Sequence, residues 1–341
     1  MLTNNINSKT NMATFQNKNN QRGSRFRGKM RTEQKKIKKN KSWRKIVALI
    51  MVVFLLIISG IGFSMYHSLT SAVHTMYQKA DPSKKRVDNI SLGDKQPFSV
   101  LLVGVDTRKG DAGRADSIVV LTVNPINESV KMLSIPRDTR TEIIGHGTTK
   151  INHSFAYGGV DLTRQTVENF LDIPIDYFIQ VNMESFQHLV NAMGGINVHN
   201  YQAFTHTGHY FAEGEIELNG KQALSFSRMR YDDKRGDYGR QTRQREVLKS
   251  IINEGASISS LTKYKSIFEA LSKNIRTNLT FEEMVSIQKN YRTASKSIDQ
   301  IEIKSHTEKI YDPDEGKPLS FEIVTEEEKA NIQVTLKTQL K

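Results

Sequence analysis

The 341-residue chain contains no cysteine. That excludes disulfides, iron–sulfur clusters, zinc–thiolate sites and cysteine nucleophiles. An exported eukaryotic domain of this size ordinarily carries disulfides, so their absence points towards a bacterial surface protein. The chain also lacks a GxxxxGK[ST] phosphate loop, although VGVDTRKGDAG brings glycines together, and it lacks a GxSxG nucleophile elbow. There is no internal repeat. Acid is almost missing from the first 45 residues, where 14 lysines and arginines face Glu33 alone. This tail accounts for the whole formal net charge of +13, and the remainder of the chain is neutral in sum. Specific nucleic-acid binding is therefore not expected of the folded part.

The adjoining segment explains the tail. Residues 46–66, IVALIMVVFLLIISGIGFSMY, carry no charge. A bilayer core needs about 20 apolar residues. The basic flank lies on the N-terminal side, so the positive-inside rule keeps the N-terminus in the cytoplasm and places everything after about Tyr66 outside. Trp43 stands where an interfacial anchor would stand. A cleaved signal peptide would have a shorter apolar region, and Ser71-Ala72 is a poor cleavage site. The expectation is an uncleaved single-pass anchor whose basic tail also touches anionic headgroups.

The chain divides on this reading into a basic disordered cytoplasmic tail (1–45), a transmembrane helix (46–66), a juxtamembrane linker (67–97), an extracellular domain (98–300) and a C-terminal extension (301–341). FSVLLVGV and DSIVVLTVN are buried-strand runs, and the latter pairs with SVKMLSIP through the turn Asn124-Pro125-Ile126-Asn127. A further strand is expected over 175–181. Helices are expected over 161–171, 184–193, 219–229, 240–254, 261–273, 281–291 and 326–336. Strands interleaved with helices argue for an α/β fold, a mixed α-β-α layered domain with a central sheet.

The densest chemistry lies in SFSRMRYDDKRGDYGRQTRQ and the residue after it, which place Arg228, Arg230, Arg240, Arg243 and Arg245 in one short span with Asp237 and Gln244 among them. The planar guanidinium fork grips phosphate oxygens in pairs. A charge run is more often a solvated helix face, so the residues upstream matter. Asp106 ends the first strand, Asp116 opens the second, and Arg114 lies between them; two carboxylates there suit a hard cation such as Mg2+ (or Mn2+), although a turn aspartate is the commoner role. Arg137 leaves the third strand behind Pro136, beside Asp138. Lys150 lies ahead of the Tyr157-Gly158-Gly159 bend. A helix starting at Arg240 would put Gln244 on the same face, with Asp237 just ahead of it as a cap. Arg235-Gly236-Asp237 spells an adhesion tripeptide that arises easily by chance. His199, His206 and His209 read as a solvated loop rather than a metal site.

Taken in order, VGVDTR, GRADSIVVLTVNP, SIPRDT, KINHSFAYGG, LNGKQALSFSRMR and GDYGRQTRQREVL resemble the extracellular catalytic domain of the LytR–CpsA–Psr family, from about residue 98 to about 252 and the helices beyond. Residues after about 300 fall outside that resemblance. It implies a phosphotransferase of the Gram-positive cell wall. Such an enzyme moves an anionic glycopolymer, wall teichoic acid or capsular polysaccharide, from an undecaprenyl pyrophosphate donor to a peptidoglycan hydroxyl. It also implies an apolar lipid tunnel between sheet and helices. By motif, Asp106 and Asp116 would hold the metal. Arg114, Arg137, Lys150, Arg228, Arg230, Arg240 and Gln244 would bind the pyrophosphate. Arg137, Arg228, Arg230 and Asp237 would be catalytic. The general base stays open between Asp237 and a metal-bound acid. A membrane-bound attenuator without catalysis and a polyprenyl pyrophosphatase are the competing functions.

Overall fold

The computed structural model describes residues 50–60, 62–106, 113–230, 233–257, 266–268, 271–272, 275–312 and 316–341. The expected tail, Trp43 and most of the helix expected over 261–273 lie outside the described residues. The chain divides into two units, Met1–Tyr66 and His67–Lys341. Helix α1, Ile50–Met76, is 27 residues long and has a mean hydropathy of 2.0 in its most apolar window. By length and composition it is long and apolar enough to cross a membrane. Its first part belongs to the N-terminal unit and displays Ile50, Phe54, Leu56 and Phe63 outward.

In the second unit, six strands form one mixed sheet. They are β1 (Phe98–Asp106), β2 (Arg114–Asn124), β3 (Ser129–Ile135), β6 (Tyr177–Asn182), β11 (Ile275–Thr277) and β12 (Ser297–Glu302). Their order across the sheet is β11-β6-β1-β2-β3-β12. β1–β2 and β2–β3 are antiparallel, while β6 and β12 join parallel to β1 and β3. Both faces are covered, which is why β1–β3 read as nearly continuous apolar runs. On one face Leu101, Val103, Ile118, Val120 and Leu133 pack with Val167 and Phe170 of α2 (His153–Leu171) and Ile332 and Leu336 of α7 (Glu326–Gln339). On the other, Val100, Val119, Leu121 and Met132 meet Leu248 and Ile252 of α5 (Asp237–Ser257) and Met284 and Ile287 of α6 (Phe281–Asn290). Each fully buried side chain of this size stabilises the fold by about 1.5–3 kcal/mol. The α-β-α layering is the fold class expected from the sequence.

Several boundaries differ. Helix α2 starts at His153, well before the expected 161, and is kinked where Gly158 and Gly159 leave helical geometry. At φ 63° and ψ −154°, Gly159 occupies a region that side-chain-bearing residues avoid. Helix α5 opens at Asp237 itself, so this carboxylate sits in the first turn rather than ahead of it. The stretch 67–97 packs on the domain: Leu69, Val73, Met76 and Leu92 are buried, and Arg86 pairs with Asp176 at 2.8 Å.

The remaining elements are β4 (Arg140–Ile143), β5 (Gly147–Lys150), α3 (Met183–Met193), β7 (Ile196–Asn200), β8 (Phe204–His206), β9 (His209–Phe211), β10 (Gly214–Leu218), α4 (Gly220–Arg228), β13 (Ser305–Asp312) and β14 (Lys317–Val324). The last 41 residues, which fall outside the family resemblance and for which the sequence predicts only the helix over 326–336, supply part of β12 and its return hairpin β13–β14, with α7 closing one sheet face.

Candidate active site

The site forms at the sheet edge where β1 ends, β2 begins and β3 ends. Val105 is in register with Ala115 but Gly104 with Ser117, so Asp116 has no partner across the pair. This is a β-bulge, the device that re-aims a side chain at a strand end. It leaves both Asp116 and Ser117 half-buried instead of alternating between the faces. Asp106, in register with Arg114, closes β1, and its side chain lies outside what the structure describes.

Arg137 leaves β3 after Pro136, in a turn closed by the Thr139 amide on the Pro136 carbonyl at 3.0 Å. Its own carbonyl accepts from the Asn152 amide at 3.2 Å, which ties it to the start of α2. Nη1 of Arg137 donates to Asp116 Oδ1 at 2.7 Å, and Nε lies 3.6 Å from Asp138 Oδ2. Lys150 Nζ donates to Asp138 Oδ1 at 2.8 Å. Burial works against the Arg137 cation, but the hydrogen bond and charge of Asp116, helped by Asp138 and Asp237, hold its guanidinium above its ordinary range.

Helix α5 brings the second half. Asp237, Arg240 and Gln244 are spaced three and four apart and share one face. Arg240 Nη2 lies 2.6 Å from Asp237 Oδ1, and Arg230 Nε lies 3.7 Å from the same oxygen. Gln244 Oε1 accepts from Ser117 Oγ at 3.4 Å, fastening the helix to the bulge. Burial depresses Arg240, the charges of Arg137 and Arg230 push the same way, and Asp237 and Asp116 oppose them. The side chain of Arg240 is only 13% exposed, and its Nε finds no hydrogen-bond acceptor among the described residues. A buried cation pressed by two others, next to a helix N-terminus, is a place that favours an added anion.

Of the residues expected from the sequence, the structure therefore brings together Asp116, Arg137, Lys150, Arg230, Asp237, Arg240 and Gln244. Arg114 and Arg228 are exposed at the ends of β2 and α4. Arg243 and Arg245 do not join them, which corrects the reading of the five arginines as one cluster. Arg243 is buried against Asp233 at 2.6 Å and lies over the Phe204 ring at 5.3 Å. Arg245 turns to Gln300 at 3.1 Å and Glu302 at 3.7 Å on β12. Among the described residues no three histidines or acids gather as metal ligands. His199 instead pairs with Glu215 at 2.8 Å. Mg2+ needs only one or two protein carboxylates; of the two expected to hold it, Asp116 is the one whose side chain is described, and its Oδ1 accepts from Arg137.

Sequence reasoning missed the supports. Lys150 lies over the Phe321 ring at 5.7 Å. The Glu322 amide donates to the Asp138 carbonyl at 2.9 Å, and Thr139 bridges to Glu322. Tyr238, next to Asp237, hydrogen-bonds through its hydroxyl to Ser305 Oγ at 2.9 Å. The hairpin β13–β14 thus backs both halves of the site, and nothing in its charged sequence announces it.

The domain is a layered α/β fold with guanidiniums and carboxylates interlocked at one sheet edge, an arrangement whose chemistry suits a multiply charged anion. The chain belongs to the LytR_cpsA_psr family, whose model matches residues 63–337. It is 49% identical over 284 residues to the polyisoprenyl-teichoic acid–peptidoglycan teichoic acid transferase TagU of Bacillus subtilis, covering 82% of this chain and 92% of that one. The crystal structure of B. subtilis TagU superposes with a TM-score of 0.59 at 47% identity, over 72% of this chain and 98% of that one. A structure of TagT bound to LI-WTA superposes at 0.64, with 30% identity, over 76% of this chain and 97% of that one.

Proposed function

We propose that this protein is a membrane-anchored phosphotransferase that moves an anionic glycopolymer from polyprenyl pyrophosphate to a hydroxyl of peptidoglycan. The observation that carries the reading is the cluster Asp116–Arg137–Asp138–Lys150 meeting Arg230–Asp237–Arg240 at one edge of the sheet. Such a set suits a diphosphate, and the family and its TagU relatives supply the chemistry. With α1 as anchor and a basic tail before it, the N-terminus is cytoplasmic and the domain extracellular. The anchor keeps the site near the bilayer that carries the donor.

In this reading the phosphate oxygens replace carboxylates as partners of Arg137, Lys150, Arg230 and Arg240, with Arg114 and Arg228 closing from the ends of β2 and α4. Asp237, released from the two guanidiniums, takes the proton of the acceptor hydroxyl. The hydroxyl oxygen bonds to the sugar-side phosphorus, the bond to the bridging oxygen breaks, and lipid monophosphate leaves with its electron pair. The product is a phosphodiester, and the cleaved pyrophosphate supplies the driving force. The guanidiniums act by meeting charge that builds on the bridging and equatorial oxygens. Asp106 and Asp116 are the residues that would hold Mg2+ or Mn2+, which when bound would neutralise pyrophosphate charge.

The test is to incubate the full chain in detergent with a lipid-pyrophosphate-linked sugar, peptidoglycan oligomers and Mg2+. Sugar joined to glycan with release of lipid monophosphate is the expected outcome. Lipid monophosphate without attachment identifies a pyrophosphatase, and bound lipid without turnover identifies a non-catalytic attenuator. Loss of turnover with chelator and its return with Mg2+ is expected for the metal.

A further inference from the structure

The hairpin β4–β5 carries Lys150 at one end and, in its turn at the other, His146, which meets Tyr157 of α2. Its turn is Ile144-Gly145-His146, closed by the His146 amide on the Ile143 carbonyl at 2.9 Å. The His146 ring lies on the ring of Tyr157 with centroids 4.4 Å apart and planes within 11°. Tyr157 is 44% exposed and Ile144 47% exposed, so the stack faces water rather than a core. Tyr157 also meets His153 nearly at right angles, with centroids 6.0 Å apart and planes at 76°. His153 in turn meets the Thr149 hydroxyl at 3.2 Å. The kink at Gly158–Gly159 directly after Tyr157 breaks the helix there. The result is a flat aromatic surface braced by both a strand and a helix turn.

A stacked pair left in water can serve merely to pin a turn. Its position argues for more. Gly147 to Lys150 spans three residues of strand, about 10 Å. The surface therefore stands one or two sugar rings from Lys150 and Asp138. Its chemistry differs from that of the neighbouring cluster: flat rings with polar edges offer an aromatic face rather than a row of cations. A hexopyranose presents an apolar C–H face bounded by hydroxyls, and those C–H groups, slightly positive, suit the negative face of an aromatic ring. The cations take the phosphates, and the aromatic pair suits an uncharged ring beside them.

We infer that His146 and Tyr157 form a stacking subsite for a pyranose ring of the acceptor glycan. This deepens the proposed transfer reaction and rests on it for the identity of the glycan, but the binding can be measured without turnover. Chitotetraose, a neutral β-1,4-linked N-acetylglucosamine tetramer, is the probe, titrated into the full chain in detergent micelles and followed by saturation-transfer NMR. The expected result is saturation transfer to the sugar C–H protons in the unaltered protein and in Tyr157→Phe, with at least a fivefold loss in Tyr157→Ala and His146→Ala. In the transfer assay Tyr157→Ala should raise the acceptor KM about tenfold, with kcat at saturating acceptor and the donor KM within twofold of the parent. No transfer to chitotetraose in the parent, or equal transfer in Tyr157→Ala, overturns the subsite even if the reaction proceeds as proposed. A raised donor KM with an unchanged acceptor KM overturns the acceptor assignment. A lowered melting temperature with unchanged binding identifies the pair as a turn clasp and also overturns it. Failure of turnover in the parent bears on the reaction alone, since loss of chitotetraose binding in Tyr157→Ala would still support the subsite.

Discussion

Arg137 donates to Asp116 across the ends of two neighbouring strands, at 2.7 Å, and the carboxylate can meet it because a β-bulge leaves Asp116 without a partner on β1. The pair is about one-quarter exposed on either side, so it is reachable from solvent yet partly desolvated. Replacing Arg137 removes the guanidinium fork that the proposed function gives to the phosphates, while the bulge and strands remain. Arg137→Ala should lower kcat by about 100- to 1000-fold, the usual cost of losing a group that meets transition-state charge. Arg137→Lys should recover little of it, since a point charge cannot bridge two oxygens. Steady-state kinetics beside a thermal melt check this; near-normal turnover in Arg137→Ala would remove the residue from the site.

The loop that carries Arg230 is held by a pair the solvent hardly sees. Asp233 and Arg243 have side chains 2% and 6% exposed, and Arg243 also donates to the Met229 carbonyl. Burial works against the Asp233 carboxylate, but Arg243 and Arg235 more than offset it and hold the group below its usual range. Asp233→Ala would strand a buried guanidinium, at a cost of about 3–5 kcal/mol. Gly239 closes the same pocket: a Cβ there would lie 1.8 Å from Asp233 Oδ2. Both Asp233→Ala and Gly239→Ala should lower Tm by roughly 5–15 °C in a domain of this size. Differential scanning calorimetry decides, and an unchanged Tm in Gly239→Ala would contradict the packing.

How legible each feature was in the sequence depends on how far its signal relies on neighbours. β1–β3 were legible because burial on both faces imposes an unbroken apolar run, and the Asn124–Asn127 turn is local chemistry. The α5 start was misplaced because Asp237 in the first turn and Asp237 as a cap look alike in one dimension. The arginine run concealed a division made by helical phase: at 100° per residue Arg240 and Gln244 point one way, while Arg243 and Arg245 turn to either side. The bulge could not be foreseen, because it is a mismatch between two strands rather than a property of either. Phe321, Glu322 and Ser305 were invisible for a similar reason, since their contacts lie more than 60 residues away along the chain.

Asp172 gives a pH-dependent test. It sits in the left-handed region, at φ 50° and ψ 41°, between Lys85 and Lys337. Hydrogen bonds from Lys337 and Lys85 hold its carboxyl down at about 2, below the usual value of about 3.9. A depressed carboxylate stabilises the fold above the unfolded value and loses that contribution as pH falls through the folded one. Asp172→Asn tolerates the same backbone. It should be less stable than the parent at pH 6 by up to about 1 kcal/mol, the range of exposed ion pairs, as read from denaturant unfolding, and the difference should vanish between about pH 4 and pH 2. A difference that persists at pH 2 would show that the lysines contribute nothing through charge.

Phe321 tests whether the C-terminal hairpin serves the site or only the fold. Its ring is 3% exposed and lies beneath Lys150, whose ammonium also donates to Asp138. Phe321→Ala leaves a cavity and should cost about 3–5 kcal/mol. Phe321→Leu keeps most of the volume and removes only the cation–π contact, about 0.5–2 kcal/mol. Turnover should then fall about three- to tenfold with Tm little changed, because Lys150 loses the face that fixes its direction. Lys150→Ala should lower turnover further, and combining it with Phe321→Leu should add nothing, since the ring then has no ammonium to direct. Additive losses in the double-mutant cycle would show that the ring does not act through Lys150.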